Sequence, residues 1–117
     1  MTPDGYTYLD PVDFPKLFAP DLPEEQAKFE ARSQVLAKKE VFTMPLTVAA
    51  WKMKPTWGIV ADNDQIINPD LECFYCDRAK APFIVIEGAS HSVYESHAAR
   101  VAEVIVEAAR KVEEKAP

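Results

Sequence analysis

The clearest feature in the run of hydrophobic and polar positions is a pair of short apolar stretches, Trp57-Gly58-Ile59-Val60-Ala61 and Phe83-Ile84-Val85-Ile86. Each is apolar at consecutive positions rather than alternating ones. Each then turns polar: Asp62-Asn63-Asp64 follows the first, and Glu87-Gly88-Ala89-Ser90-His91 follows the second. Consecutive apolar residues are the mark of parallel strands covered on both faces. A helix-like segment lies between them, so the stretch reads as a βαβ unit with a right-handed crossover. Parallel strands place their trailing loops at one end of the sheet. The Asp64 carboxylate and the His91 imidazole are therefore expected side by side, where open α/β sheets carry their sites.

The intervening helix has its own punctuation. Asn68 fits an N-cap and Pro69 the first helical position. Asp70 and Glu72 favour the positive end, and Arg78 and Lys80 the negative end. Leu71, Phe74, Tyr75 and Ala79 are expected to face the sheet. The helix should end at Ala81-Pro82, because the residue before proline is pushed out of the helical region. A last helix is predicted from Ser96 or His97 to about Val112, with the stripe Val101, Val104, Ile105, Ala108 and Val112. Ser96 reads as its N-cap and His97 as structural.

The first half is less regular. Tyr6 to Leu9 suggests one short strand. A helix near Phe14 to Phe18 must open at Pro15, with Phe14, Leu17 and Phe18 on its apolar side. Residues 21–40 predict the clearest helix of this half, with Asp21 as N-cap and Leu22, Phe29, Val35 and Leu36 as a thin apolar stripe. The whole predicts an α/β chain of two to three strands and four helices in one structural domain.

Composition narrows the function. In 117 residues the apolar share is 48%, ordinary for a globular chain. The net charge of −6 argues against nucleic acid and against an anionic membrane surface. No apolar run approaches the roughly 20 residues of a membrane span, and the first residues lack a basic stretch followed by an apolar core. The expected compartment is the cytoplasm. Cys73 and Cys76 form a single C-x-x-C inside a predicted helix, which fits ordinary half-buried thiols rather than a zinc ribbon or a redox site. His91 and His97 lack metal-ligand spacing, so no metal is expected.

The segment from about Ala50 to Arg110 resembles the C-terminal part of the α/β-hydrolase fold, in its esterase-like branch. The residues that carry the resemblance are Trp51, Lys54-Pro55-Thr56-Trp57, Val60-Ala61, Asp64, Ile67, Pro69, Leu71-Glu72, Phe74, Arg78-Ala79, Ser90-His91, Ser96-His97, Val101-Ala102 and Ala108-Ala109. Residues 1–50 resemble the cap region that precedes this part, leaving 51–117 as a βαβα portion. The resemblance implies a partial α/β-hydrolase fold, with Asp64 as catalytic acid, Asp62 as alternative acid and His91 as base. It implies hydrolysis of a small ester or amide, with no metal or organic cofactor. The family's G-x-S-x-G elbow has no counterpart here: the glycines are Gly5, Gly58 and Gly88, and the serines are Ser33, Ser90, Ser92 and Ser96. The adjacent Ser90 and Ser92 are poorly placed to replace it, since neighbouring side chains point apart. The nucleophile and oxyanion donors would then come from other sequence.

Phe14, Phe18, Phe29 and Met44 could line an apolar pocket in that setting, or cover the sheet edge. Trp51, Trp57, Phe74 and Phe83 read as core. Two parallel strands leave an open edge, so a second copy or a complementing N-terminal hydrolase fragment is expected to cover it. The alternative function is a catalytically inactive, hydrolase-derived oligomer that binds a small apolar ligand or a protein.

Overall fold

The computed structural model describes residues 1–114. Two small cores form, one in each half of the chain. In the N-terminal half, β1 (Tyr6–Thr7) pairs antiparallel with β2 (Ala37–Lys38). Between them lie α1 (Phe14–Leu17) and α2 (Glu24–Arg32). Phe14, Ala19, Ala27 and Ala31 are buried together, with Leu9, Phe18 and Leu22 packed on them. Small alanines on α2 let α1 approach closely, so this core rests on backbone proximity more than on large side chains.

In the C-terminal half, β3 (Gly58–Ala61), α3 (Pro69–Ala79) and β4 (Phe83–Ile86) make the parallel βαβ unit, with Gly58 opposite Phe83 and Ala61 opposite Ile86. Two helices follow, α4 (Val93–Ser96) and α5 (Ala98–Glu113). Ile59, Ala61, Ile84 and Ile86 share one face of the strand pair and meet Val93 and Val101. Alternation turns Gly58 and Val60 to the opposite face, which α3 covers. The contact there is close: a Cβ on Gly58 would stand 2.3 Å from Cys76 Sγ.

Several elements differ from the sequence expectation. The helix predicted over 21–40 is confined to Glu24–Arg32; Ser33 ends it, and residues 37–38 are extended in β2. The apolar stripe past Phe29 is too thin to hold the segment on a core. Asp21 is not the cap of α2, because Pro23 occupies that position. Pairing of β1 with β2 and the separate turn α4 raise the count to four strands and five α-helices among the described residues, beside two short 3-10 turns at Lys39–Phe42 and Ala50–Lys52. Asn68 does cap α3, its side chain accepting from the Asp70 N–H at 2.9 Å. The helix stops earlier than Ala81, with Lys80 in the left-handed region at φ 53°. Ser96 makes no cap on α5; its hydroxyl bonds the Ser92 carbonyl and His97 Nδ1.

The inner face of α3 is Glu72, Cys73, Cys76 and Ala79, all half-buried. Leu71, Phe74 and Tyr75, expected against the sheet, are exposed instead, Phe74 by 57%. With only two strands, the sheet is too narrow to underlie that flank of the helix. Ile105 and Val112 of the α5 stripe are exposed for the same reason, while Val104 is buried.

Candidate active site

The two loops that leave β3 and β4 are joined by backbone and side-chain hydrogen bonds. The Asp62 N–H donates to the Ile86 carbonyl at 3.3 Å and the Asn63 N–H to the Ala89 carbonyl at 3.0 Å. Gly88, at φ +73°, turns the second loop so that its N–H donates to Asp62 Oδ1 at 2.5 Å. A residue with a Cβ rarely adopts that φ, so glycine suits the position. Asp62 is thus a staple between loops and does not reach His91.

Asp64 does reach it. His91 Nδ1 lies 2.7 Å from Asp64 Oδ2. The Asp64 side chain is 1% exposed and that of His91 is 26% exposed. Asp64 Oδ1 accepts from the N–H groups of Ile66 at 2.7 Å and Ile67 at 3.0 Å, which fixes the carboxylate in a turn. A carboxylate oxygen accepts, so Nδ1 carries the hydrogen, and in the neutral ring Nε2 is the acceptor. Nε2 has no hydrogen-bond partner among the described residues. The ring of Phe18 stands edge-on to the imidazole, with centroids 4.5 Å apart. The arrangement is a histidine oriented by a buried carboxylate, with one ring nitrogen free to take a proton.

Neither neighbouring serine is offered to that nitrogen. Ser90 and Ser92 are wholly buried. Ser90 Oγ donates to Asp21 Oδ1, and the Ser90 N–H donates to Asp21 Oδ2 at 2.9 Å. Burial opposes ionisation of Asp21, yet these hydrogen bonds outweigh it and hold its carboxyl below the usual value. His97 lies near the same carboxylate, its Nδ1 4.0 Å from Asp21 Oδ2 and 2.9 Å from Ser96 Oγ.

Glu72 lies on the outer edge of β3. Its Oε2 accepts from the Ala61 N–H at 3.3 Å, a group that faces away from β4. Burial raises the Glu72 carboxyl above its usual value, and the nearby Asp64 charge adds to this, while the Ala61 N–H opposes it. Cys73 and Cys76 are free and half-buried; burial pushes the Cys76 thiol up, which disfavours the reactive thiolate. Among the described residues no group of three His, Cys, Asp or Glu side chains could hold a metal ion.

A cleft of about 720 Å³ borders the site without including Asp64 or His91. It is lined by Phe14, Phe18, Phe42 and Tyr94 with Leu9 and Val35 among others. Phe18 therefore touches both the cleft and the imidazole. Phe29 and Met44, the other two expected pocket residues, are exposed and lie outside this lining.

Sequence reasoning did not anticipate Asp21 or Glu72 at the site, and it expected Phe18 in the pocket without its contact with His91. The segment Pro20-Asp21-Leu22-Pro23 held one signal for the first. A proline placed at or just before the first helical position puts Asp21 outside the helix, where its carboxylate is free for another partner.

A parallel strand pair with a buried aspartate after one strand and a histidine after the next fits the α/β-hydrolase class of proteins. The family model described as alpha/beta hydrolase family matches residues 2–104, and the chain belongs to that family. Comparison with curated proteins and with solved structures returns no match. No helix among the described residues is long and apolar enough to cross a membrane.

Proposed function

We propose that this chain supplies the acid and base of a serine-esterase-type site, Asp64 and His91, for hydrolysis of a small ester or amide. The supporting observation is the 2.7 Å contact between His91 Nδ1 and the buried Asp64 carboxylate, with Nε2 left free. In this reading Nε2 removes the hydroxyl proton of a serine as its oxygen attacks the substrate carbonyl. The imidazolium so formed is stabilised by Asp64, and it returns the proton to the departing alkoxide or amine. A second pass activates water to release the acid. The serine and the oxyanion donors come from another stretch of polypeptide, because Ser90 and Ser92 are buried and no G-x-S-x-G elbow occurs here.

The test is labelling with a fluorophosphonate probe and turnover of a nitrophenyl ester, on the chain as purified with whatever polypeptide accompanies it. No adduct is expected on this chain. A labelled serine is expected on an accompanying polypeptide, with turnover falling about a thousandfold or more in His91→Ala and Asp64→Asn. Turnover indifferent to both variants would exclude the proposal.

One observation favours a second reading, in which the chain binds an apolar molecule without turning it over. The cleft beside Phe18 is large enough for a small ligand and is mostly apolar. Binding of an aromatic ester without turnover, in an oligomer that takes no fluorophosphonate label, would select it.

A further inference from the structure

We propose that Asp21 is a positioning residue for His91: from the N-terminal half of the chain it clamps residues 90–92 and so seats the imidazole on Asp64. The inference rests on reading Asp64 and His91 as a catalytic pair.

The clamp has two arms. Both oxygens of the Asp21 carboxylate are engaged by Ser90, one by its N–H at 2.9 Å and the other by its hydroxyl. Ser90 Oγ in turn accepts from the Ser92 N–H at 3.1 Å, which the Phe18 carbonyl shares at 3.1 Å. The residues on either side of His91 are thus held by Phe18 and Asp21, some seventy positions earlier in the chain. Both serines are wholly buried, so water cannot readily take the place of these partners. A charged acceptor makes the Ser90 bonds stronger than a neutral one would.

The loop has no regular ladder of its own at this point. His91 follows the turn at Gly88 and precedes the single turn of α4. Without the clamp, the only strong tie on its ring is Asp64 itself, and the Phe18 edge would lose its fixed distance. Displacing a base by about 1 Å is enough to cost about a hundredfold in rate. A carboxylate on the N-terminal half therefore controls the geometry of a histidine on the C-terminal half.

The experiment is NMR on the full chain with nitrogen-15-labelled histidine. Wild type is expected to show a slowly exchanging Nδ1–H signal from His91, which disappears in Asp64→Asn. Ser90→Ala changes no charge, and Asp21→Asn keeps the side-chain shape. Each is expected to speed exchange of that ring proton by about tenfold or more, with the amide signals of α3 and α5 retained. An unchanged ring signal in both variants, beside its loss in Asp64→Asn, overturns the clamp alone. No such signal in wild type overturns both the clamp and the catalytic pair. Should the variants unfold, amide exchange in wild type decides. Ser90 and Ser92 amides protected as well as those of α5 support the clamp, and exchange at unfolded-chain rates overturns it.

Discussion

At the scale of single residues, three carboxylates within one small region carry three different tasks because their partners differ. Asp62 accepts from a loop N–H, Asp64 from an imidazole, and Asp21 from a buried serine. Asp21 carries a pH signature. Its folded-state pKa lies below the ordinary value of 3.8, so its ionised form contributes stability above that value. That contribution is lost as pH falls through the lowered folded-state pKa. Thermal melts between pH 7 and pH 2 should therefore show Asp21→Asn less stable than wild type at pH 7, by about 1–3 kcal/mol for a charged hydrogen-bond partner removed. The gap should close on the acid side of 3.8. A constant gap across the range would show that the Ser90 hydrogen bonds do not depend on the charge.

At the scale of elements, the βαβ unit depends on how closely α3 lies on β3. Gly58 permits the approach of Cys76 Sγ, and the nearest atoms to an added Cβ would be that sulfur at 2.3 Å and Phe83 Cβ at 3.0 Å. Gly58→Ala is expected to destabilise the chain by about 1–3 kcal/mol through overpacking. Adding Cys76→Ala removes the sulfur and leaves Cys76 Cβ at 3.6 Å, an ordinary contact. The double variant should recover part of the loss in a denaturant titration, because the Phe83 Cβ contact remains, and no recovery at all would place the strain elsewhere. Glu72 works on the opposite sign from Asp21. Burial raises its carboxyl above the ordinary 4.5, so the folded state binds the proton more tightly than the unfolded one. Stability on its account is present below 4.5 and lost as pH rises through the raised value. Glu72→Gln keeps an acceptor for the Ala61 N–H and removes the charge. Its melting temperature should exceed that of wild type at pH 7, with the advantage vanishing in acid.

At the scale of the whole molecule, the chain is more open than its length requires. Its radius of gyration is 16.3 Å, against about 13 Å for a compact domain of this size. It exposes 8651 Å² of surface, about 2,300 Å² more than a folded monomer of similar mass. Much of the excess is apolar: Phe74 and Tyr75 on α3, Phe29 on α2, and Phe42 with Leu46 between the halves. The outer edge of β3 adds backbone groups, of which the Ala61 N–H is satisfied only by Glu72. An excess of this size matches one side of an obligate interface. Sedimentation equilibrium on the purified chain is expected to give at least twice the chain's own mass, or a complex with a second polypeptide. A monodisperse monomer would show that these surfaces are tolerated in water.

Local signals in the amino-acid sequence specify one part of this structure. Consecutive apolar residues and their polar endings placed β3 and β4, and Asn68-Pro69 placed the start of α3, because caps and strand runs depend on near neighbours. The same pattern brought Asp64 and His91 to one end of the sheet, since parallel strands leave no other choice. Which partner each polar group takes follows instead from the packing of distant segments. Asp21 reads as a helix cap and instead holds Ser90, because Pro23 takes the cap position and the His91 loop presents two donors. The 21–40 helix stops at Arg32, because its later apolar residues meet no core. Leu71, Phe74 and Tyr75 have the composition of a buried face, yet a sheet of two strands is too narrow to cover them. Hydrogen-bond partners some seventy residues apart and the width of a sheet are set by how the whole chain packs, and no local spacing encodes them.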